Sequence, residues 1–138
     1  RPFAVAETAP LRIRARLWTS HGEADRGAWI SLGQAISLER RGSKLQLWVE
    51  GAAAPLWEKE IPAVQEWETL ELWISPDRVA VRRNQVTLHG GPHPLKIKGG
   101  TLSAGVHTKA DLAQDGEARF DEFEAVWTSP AEFEEIAR

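Results

Sequence analysis

Four tryptophans of this chain, Trp18, Trp29, Trp48 and Trp73, stand at positions where a side chain should meet water. Each falls on the polar phase of an alternating run. Trp48, for instance, is in step with Lys44, Gln46 and Glu50 and out of step with Leu45, Leu47 and Val49. An indole so placed is a flat apolar platform with one N–H donor, the chemistry needed to stack on a sugar ring and bond one of its hydroxyls. Gln46, Glu50, Glu71 and nearby arginines add hydroxyl-bonding groups. The candidate ligand-binding residues are therefore Trp48 and Trp73 first, then Trp29, Trp18, Gln46 and Glu71. A structural explanation competes: large aromatics are common in half-buried strands, and these indoles could cover sheet edges, pack under the C-terminal helix or meet a partner subunit. Trp67 and Trp127 read as core or sheet-edge residues.

Other reactive types are sparser. Arg12, Arg14 and Arg16 form a row on one strand face, and a row of guanidinium groups could hold an acidic or sulfated ligand. Pairing with Glu122 and Glu124 of the last strand is the favoured reading, since cross-strand opposite charges contribute roughly 0.2–1 kcal/mol each. The same two glutamates, about 7 Å apart on one face of a regular strand, are the only carboxylate cluster resembling a hydrolytic pair, which needs carboxyls about 5 Å apart in retaining enzymes. His89, His93 and His107, with Asp111, could gather on a metal, but Gly90, Gly91, Pro92 and Pro94 deny His89 and His93 a helical frame. His89 and His93 read as exposed loop residues. Calcium could sit in the loops His21 to Asp25 or Asp111 to Glu117, although neither has dense oxygen-ligand spacing. No Ser-His-Asp arrangement, phosphate loop or dinucleotide fingerprint is present.

The elements that must carry these residues are nearly all strands. Leu11–Leu17, Ala28–Leu32, Ala35–Leu38 and Lys44–Glu50 alternate with period two. A polar loop is expected at Glu39–Ser43 and a small-residue turn at Gly51–Pro55, with a less regular strand over Leu56–Ile61. Trp67 to Gln85 spells out a hairpin: Leu70, Leu72 and Ile74 alternate with Thr69, Glu71 and Trp73, Pro76-Asp77 turns the chain, and Val79 and Val81 follow. Val86 and Leu88 precede a loop over Gly90–Pro94. Strands are then expected at Leu95–Lys98, Leu102–Val106 and Ala118–Trp127, with a polar loop over His107–Gly116. Ser129 can cap a short helix that has Pro130 at its first position and Glu132 in its first turn. About ten short strands without βαβ alternation specify an antiparallel sandwich or barrel.

The 138 residues suit one domain with a single core. Seventeen basic against twenty acidic residues give a formal charge of −3, which argues against a nucleic-acid partner. No apolar run is long enough to span a bilayer. With no cysteine, disulfides and thiolate chemistry are excluded. The first residue is Arg1, which suits a processed protein or an excised domain.

Two stretches carry a resemblance. Trp67-Glu68-Thr69-Leu70-Glu71-Leu72, running on to Asp77-Arg78-Val79-Ala80-Val81 and Asn84, resembles the central hairpin of concanavalin A-like (laminin G-like) jelly-roll domains. Gly105-Val106 followed by Ala118-Arg119-Phe120-Asp121-Glu122-Phe123-Glu124-Ala125 resembles their closing strands. The match covers roughly Leu11 to Trp127. Two departures stand out: Gln85 replaces the turn glycine after Asn84, implying a different turn type, and the segment before Leu11 is short, leaving an edge strand missing or supplied from upstream. The acids of laminarinase-type members, Glu-x-Asp-x-x-Glu, have no counterpart here. The resemblance implies two curved sheets packed face to face, glycan binding on a sheet face or at loop edges, and a calcium ion at the rim in many members.

The expected fold is thus an all-β, antiparallel β-sandwich of the concanavalin A-like jelly-roll type, a single domain over 1–138 with its core at about 11–127 and a helical tail at 128–138. Its core is expected to hold Leu11, Ile13, Leu17, Ile30, Leu32, Leu45, Leu47, Leu70, Leu72, Ile74, Val79, Val81, Leu102, Val106, Phe120 and Phe123. The expected function is a non-catalytic carbohydrate-binding or adhesion module of an extracellular or surface protein. Its partner is carbohydrate or a protein in a surface assembly, with no cofactor save a possible calcium ion. The alternatives are a structural head domain of a pilus or surface filament and, third, a glycoside hydrolase.

Overall fold

A computed structural model describes residues 2–5, 10–19, 27–41, 43–62, 66–94, 100–109 and 118–137. Their strands are β1 (Pro2–Val5), β2 (Leu11–Thr19), β3 (Gly27–Leu32), β4 (Ile36–Arg41), β5 (Lys44–Val49), β6 (Trp57–Glu60), β7 (Trp67–Ile74), β8 (Arg78–Arg83), β9 (Val86–Pro92), β10 (Gly100–Lys109) and β11 (Ala118–Trp127), followed by the helix α1 (Pro130–Ala137). They form two antiparallel sheets, one of six strands in the order β1-β10-β3-β4-β5-β6 and one of five in the order β11-β2-β7-β8-β9. The fold is an all-β sandwich.

Alternation in the sequence becomes inside and outside. In β4 and β5 every second side chain is buried, so Ile36, Leu38, Leu45, Leu47 and Val49 join one core with Leu11, Ile13, Leu17, Ile30 and Leu32. The facing sheet contributes Leu70, Leu72, Ile74, Val79 and Val81. Phe123 packs against this core partly buried. The side chains of Leu102, Val106 and Phe120 lie outside the described residues, as do the expected strand at Leu95–Lys98 and both candidate calcium loops.

Several boundaries differ from expectation. The edge strand thought missing is present as β1, paired with β10. Strand β4 runs on through Arg40 and Arg41, because Arg40 points inward and finds a partner there (below). Strand β9 continues through Gly90–Pro92, where a loop was expected, since an edge strand tolerates proline. Strand β10 likewise extends to Lys109. Asn84 and Gln85 both have positive φ, 50° and 69°, the pattern of a type I′ hairpin turn. Gln85 therefore keeps the turn that glycine would make, and does not change its type.

Helix α1 forms as its residues suggest. Ser129 Oγ accepts from the Glu132 N–H at 3.1 Å and Glu132 Oε1 accepts from the Ser129 N–H at 3.3 Å, a capping box. The helix lies on the outward face of the five-stranded sheet, where Phe133 packs with Trp73 and Ala80 in a second apolar cluster. Among the described residues no helix is long and apolar enough to cross a membrane.

Candidate functional site

The register of the six-stranded sheet builds a cross-strand lattice on its outward face. Trp29 of β3 stands opposite Glu39 of β4, Glu39 opposite Gln46 of β5, and Gln46 opposite Glu58 of β6. One row along, Ser31 faces Ser37 and Ser37 faces Trp48. The two indoles thus flank β4 diagonally, with strands β3 and β5 about 9–10 Å apart. Glu39 and Ser37 of β4 occupy the positions between them. Ser31 is 2% exposed despite its outward position, so the accessible hydroxyl in this row is that of Ser37, which is half-buried.

Hydrogen bonds hold this face in place. Trp48 Nε1 donates to Gln46 Oε1 at 2.9 Å, and Gln46 Nε2 donates to Glu58 Oε2 at 3.0 Å. Lys44 Nζ stands 3.1 Å from Glu58 Oε1; this hydrogen bond, with that from Gln46, holds the Glu58 carboxyl below its ordinary range. On β4, Ser37 Oγ donates to Glu39 Oε2 at 3.1 Å and Arg41 Nε lies 3.4 Å from Glu39 Oε1. Each of these two carboxylates has a cation beside it, so the face is locally neutral. Ser37, Glu39, Arg41, Lys44 and Glu58 were not among the sequence candidates. The signal was there in the polar phase of β4, but Glu39–Ser43 read as a loop.

The other candidates are dispersed. Trp73 and Glu71 were expected on a wet face and are not: both are 3% exposed. Helix α1 roofs that end of β7, and the Trp73 N–H is consumed by Glu71 Oε1 at 2.9 Å. Glu71 also faces Arg82 Nη1 at 3.5 Å. Neither residue can meet a ligand on this surface while the helix is docked. Trp18 lies on the opposite sheet, across from Trp67. Trp67, expected in the core or at a sheet edge, instead belongs to the outward phase of the interior strand β7 and is exposed. Trp127, on the edge strand β11, is also exposed.

The arginine row pairs with β11, but through Asp121 and Glu124. Glu124 takes both Arg12 and Arg14, the latter at 2.7 Å, and Asp121 lies 4.0 Å from Arg16. A bulge between Asp121 and Glu124, with Glu122 at φ 52°, removes Glu122 from the expected row and interrupts the regular Glu122/Glu124 spacing. His89 and His93 do not converge on a common site. His89 is half-buried in β9 and stacks on Trp57, ring centroids 5.5 Å apart, while His93 is buried with Nε2 2.9 Å from the Ser75 carbonyl. Both were expected to be exposed; the sandwich edge encloses them. His107 is opposite Trp29 in backbone register, its side chain outside those described. Among the described residues no group of three or more metal-ligating side chains occurs.

No protein-family model and no curated protein matches this sequence. Solved structures do. The carbohydrate recognition domain of Emp47p superposes with a TM-score of 0.67 over 93% of this chain and 74% of its own, at 10% identity. The fold is an antiparallel jelly-roll sandwich. Two further similar structures come from proteins of different activity. Alginate lyase AlgAT5 of polysaccharide lyase family 7 gives a TM-score of 0.64 at 13% identity, covering 87% of this chain, which spans only 60% of the lyase. Sheep galectin-11, in complex with glycerol, gives 0.58 at 9% identity, with 91% and 95% covered. At such identities the likeness is one of fold; in this chain α1 occupies part of one outward face, and among the described residues no helix crosses the other.

Proposed function

We propose that this jelly roll is a non-catalytic carbohydrate-binding module that holds a saccharide on the outward face of the six-stranded sheet, with Trp48 and Trp29 as its stacking residues. The observation that carries this reading is the placement of the two indoles on either side of β4, across Glu39 and Ser37, with the Trp48 ring oriented by its bond to Gln46. A sugar ring presents apolar C–H faces and a hydroxyl rim; indoles receive the first, while Glu39, Gln46 and Ser37 can exchange bonds with the second. Because Glu39 and Glu58 each have a cation at hand, recognition runs through hydroxyls and needs no charge on the sugar. The lectin domains among similar folds support the reading.

A glycan array on the wild type, followed by titration of the best hit against Trp48→Ala and Trp29→Ala, tests it. Each substitution should weaken binding at least about tenfold, about 1.4 kcal/mol, with the unfolding transition nearly unchanged. Full affinity in both variants, or the absence of any glycan hit, would overturn the proposal. The alginate lyases among similar folds favour a second reading, polysaccharide cleavage, for which release of new chain ends from a bound polysaccharide is the deciding assay.

A further inference from the structure

We propose that the end of the five-stranded sheet away from α1, at Arg16, Trp18 and Trp67, is a second saccharide site, and that it takes a sugar bearing a carboxylate or sulfate group. Trp18 of β2 and Trp67 of β7 are directly opposed, and Trp67 is 37% exposed. Helix α1 stands over Trp73, six residues farther along β7 or about 20 Å away, so this end is clear of it.

The chemistry of the site is set by Arg16. Its guanidinium carbon lies 5.0 Å from the Trp67 ring centroid, a cation–π contact that orients the group. Among the described residues Arg16 donates no hydrogen bond, and its nearest carboxylate, Asp121, is 4.0 Å away and itself 56% exposed. Its neighbours are differently placed: Arg12 and Arg14 share Glu124. Three guanidinium groups thus face two paired carboxylates along this row, and the loosely held one sits on an exposed indole. A planar guanidinium with its donors unspent matches a carboxylate or sulfate in bidentate fashion. An adjacent indole edge and the Thr69 hydroxyl, opposite Arg16 in register, suit the ring that carries the anion. A neutral sugar would leave the guanidinium unused.

This site is independent of the face described above, and one experiment separates the two. Binding of an oligouronate, a sulfated oligosaccharide and an uncharged oligosaccharide is titrated with the whole chain as wild type, R16Q, R16K, W67A and W48A. The wild type should bind at least one anionic probe, identifying the charge source, and more weakly as salt is raised. That affinity should fall at least about tenfold in R16Q and W67A, less in R16K, and stay in W48A. Failure of both anionic probes to bind the wild type overturns the proposal, as does binding that survives R16Q and W67A or is lost only in W48A. Dilution-dependent self-association abolished by W67A also overturns it, because the patch would then be a contact between copies.

Discussion

Glu68 of the five-stranded sheet accepts two hydrogen bonds from Arg40 of the six-stranded sheet, at 2.9 Å from Nε and 2.8 Å from Nη2, and so ties the two layers together through their interior. Arg40 is 1% exposed. It also donates from Nη1 to the Ile61 carbonyl, and Arg83 Nε adds a third bond to Glu68 at 2.8 Å. Removing one partner of such a buried pair strands a charge. Glu68→Gln should therefore lower unfolding free energy by about 3–5 kcal/mol, whereas Arg40→Met combined with Glu68→Leu should lose far less than the sum of the single changes. Denaturant unfolding of the three variants measures this; additive losses would show that the pair is not coupled.

Helix α1 approaches β9 at a residue without a side chain. A Cβ placed on Gly90 would stand 2.5 Å from the Ala137 main-chain oxygen, and Thr87 Oγ1 donates to the Ile136 carbonyl at 2.8 Å beside it. Gly90→Ala should displace the helix, lower stability by about 1–3 kcal/mol, and let Trp73 reach water. Faster amide exchange over residues 130–137 is the specific readout. Unchanged exchange would mean that the helix docks without needing this close approach.

Burial holds the His89 imidazole below its ordinary value of 6.5, and among the described residues its Nε2 has no hydrogen-bond partner. The unfolded chain therefore takes up the proton first as pH falls, so stability declines below about pH 6.5 until the folded-state value is reached. His89→Phe keeps a ring against Trp57 and removes the titration. Unfolding midpoints between about pH 7.5 and about pH 5, above the range in which carboxylates dominate, should fall for the wild type and stay flatter for the variant. Parallel profiles would assign the pH dependence to other groups.

Gln85 holds φ 69°, a left-handed conformation disfavoured for residues with a Cβ. Its carbonyl accepts from Arg82 Nη2 at 2.7 Å, a bond glycine retains. Gln85→Gly should raise stability by up to about 1 kcal/mol, the gain being partly offset by a more flexible unfolded chain. Gln85→Val should lower it. A shifted denaturant midpoint with unchanged slope checks both.

The core was legible because burial between two sheets imposes period two on each strand, and Leu45, Leu47, Leu70, Leu72 and Ile74 all obey it. Trp48 was legible as outward for the same reason. Trp73 was not, although it follows the same rule: its phase is outward, yet the outward face there is occupied. Arg40 broke the apolar phase and made the end of β4, from Glu39 on, read as a loop, since its partner Glu68 is 28 residues away.

Local alternation and turn chemistry, properties of neighbours in the chain, were enough by themselves to determine most of the strands, which side of each faces inward, and that they form an antiparallel sandwich or barrel. Only the tertiary structure decided which outward indoles stay accessible. That depends on which strands lie side by side and where α1 comes to rest, contacts between residues far apart in the chain that a period-two pattern does not encode.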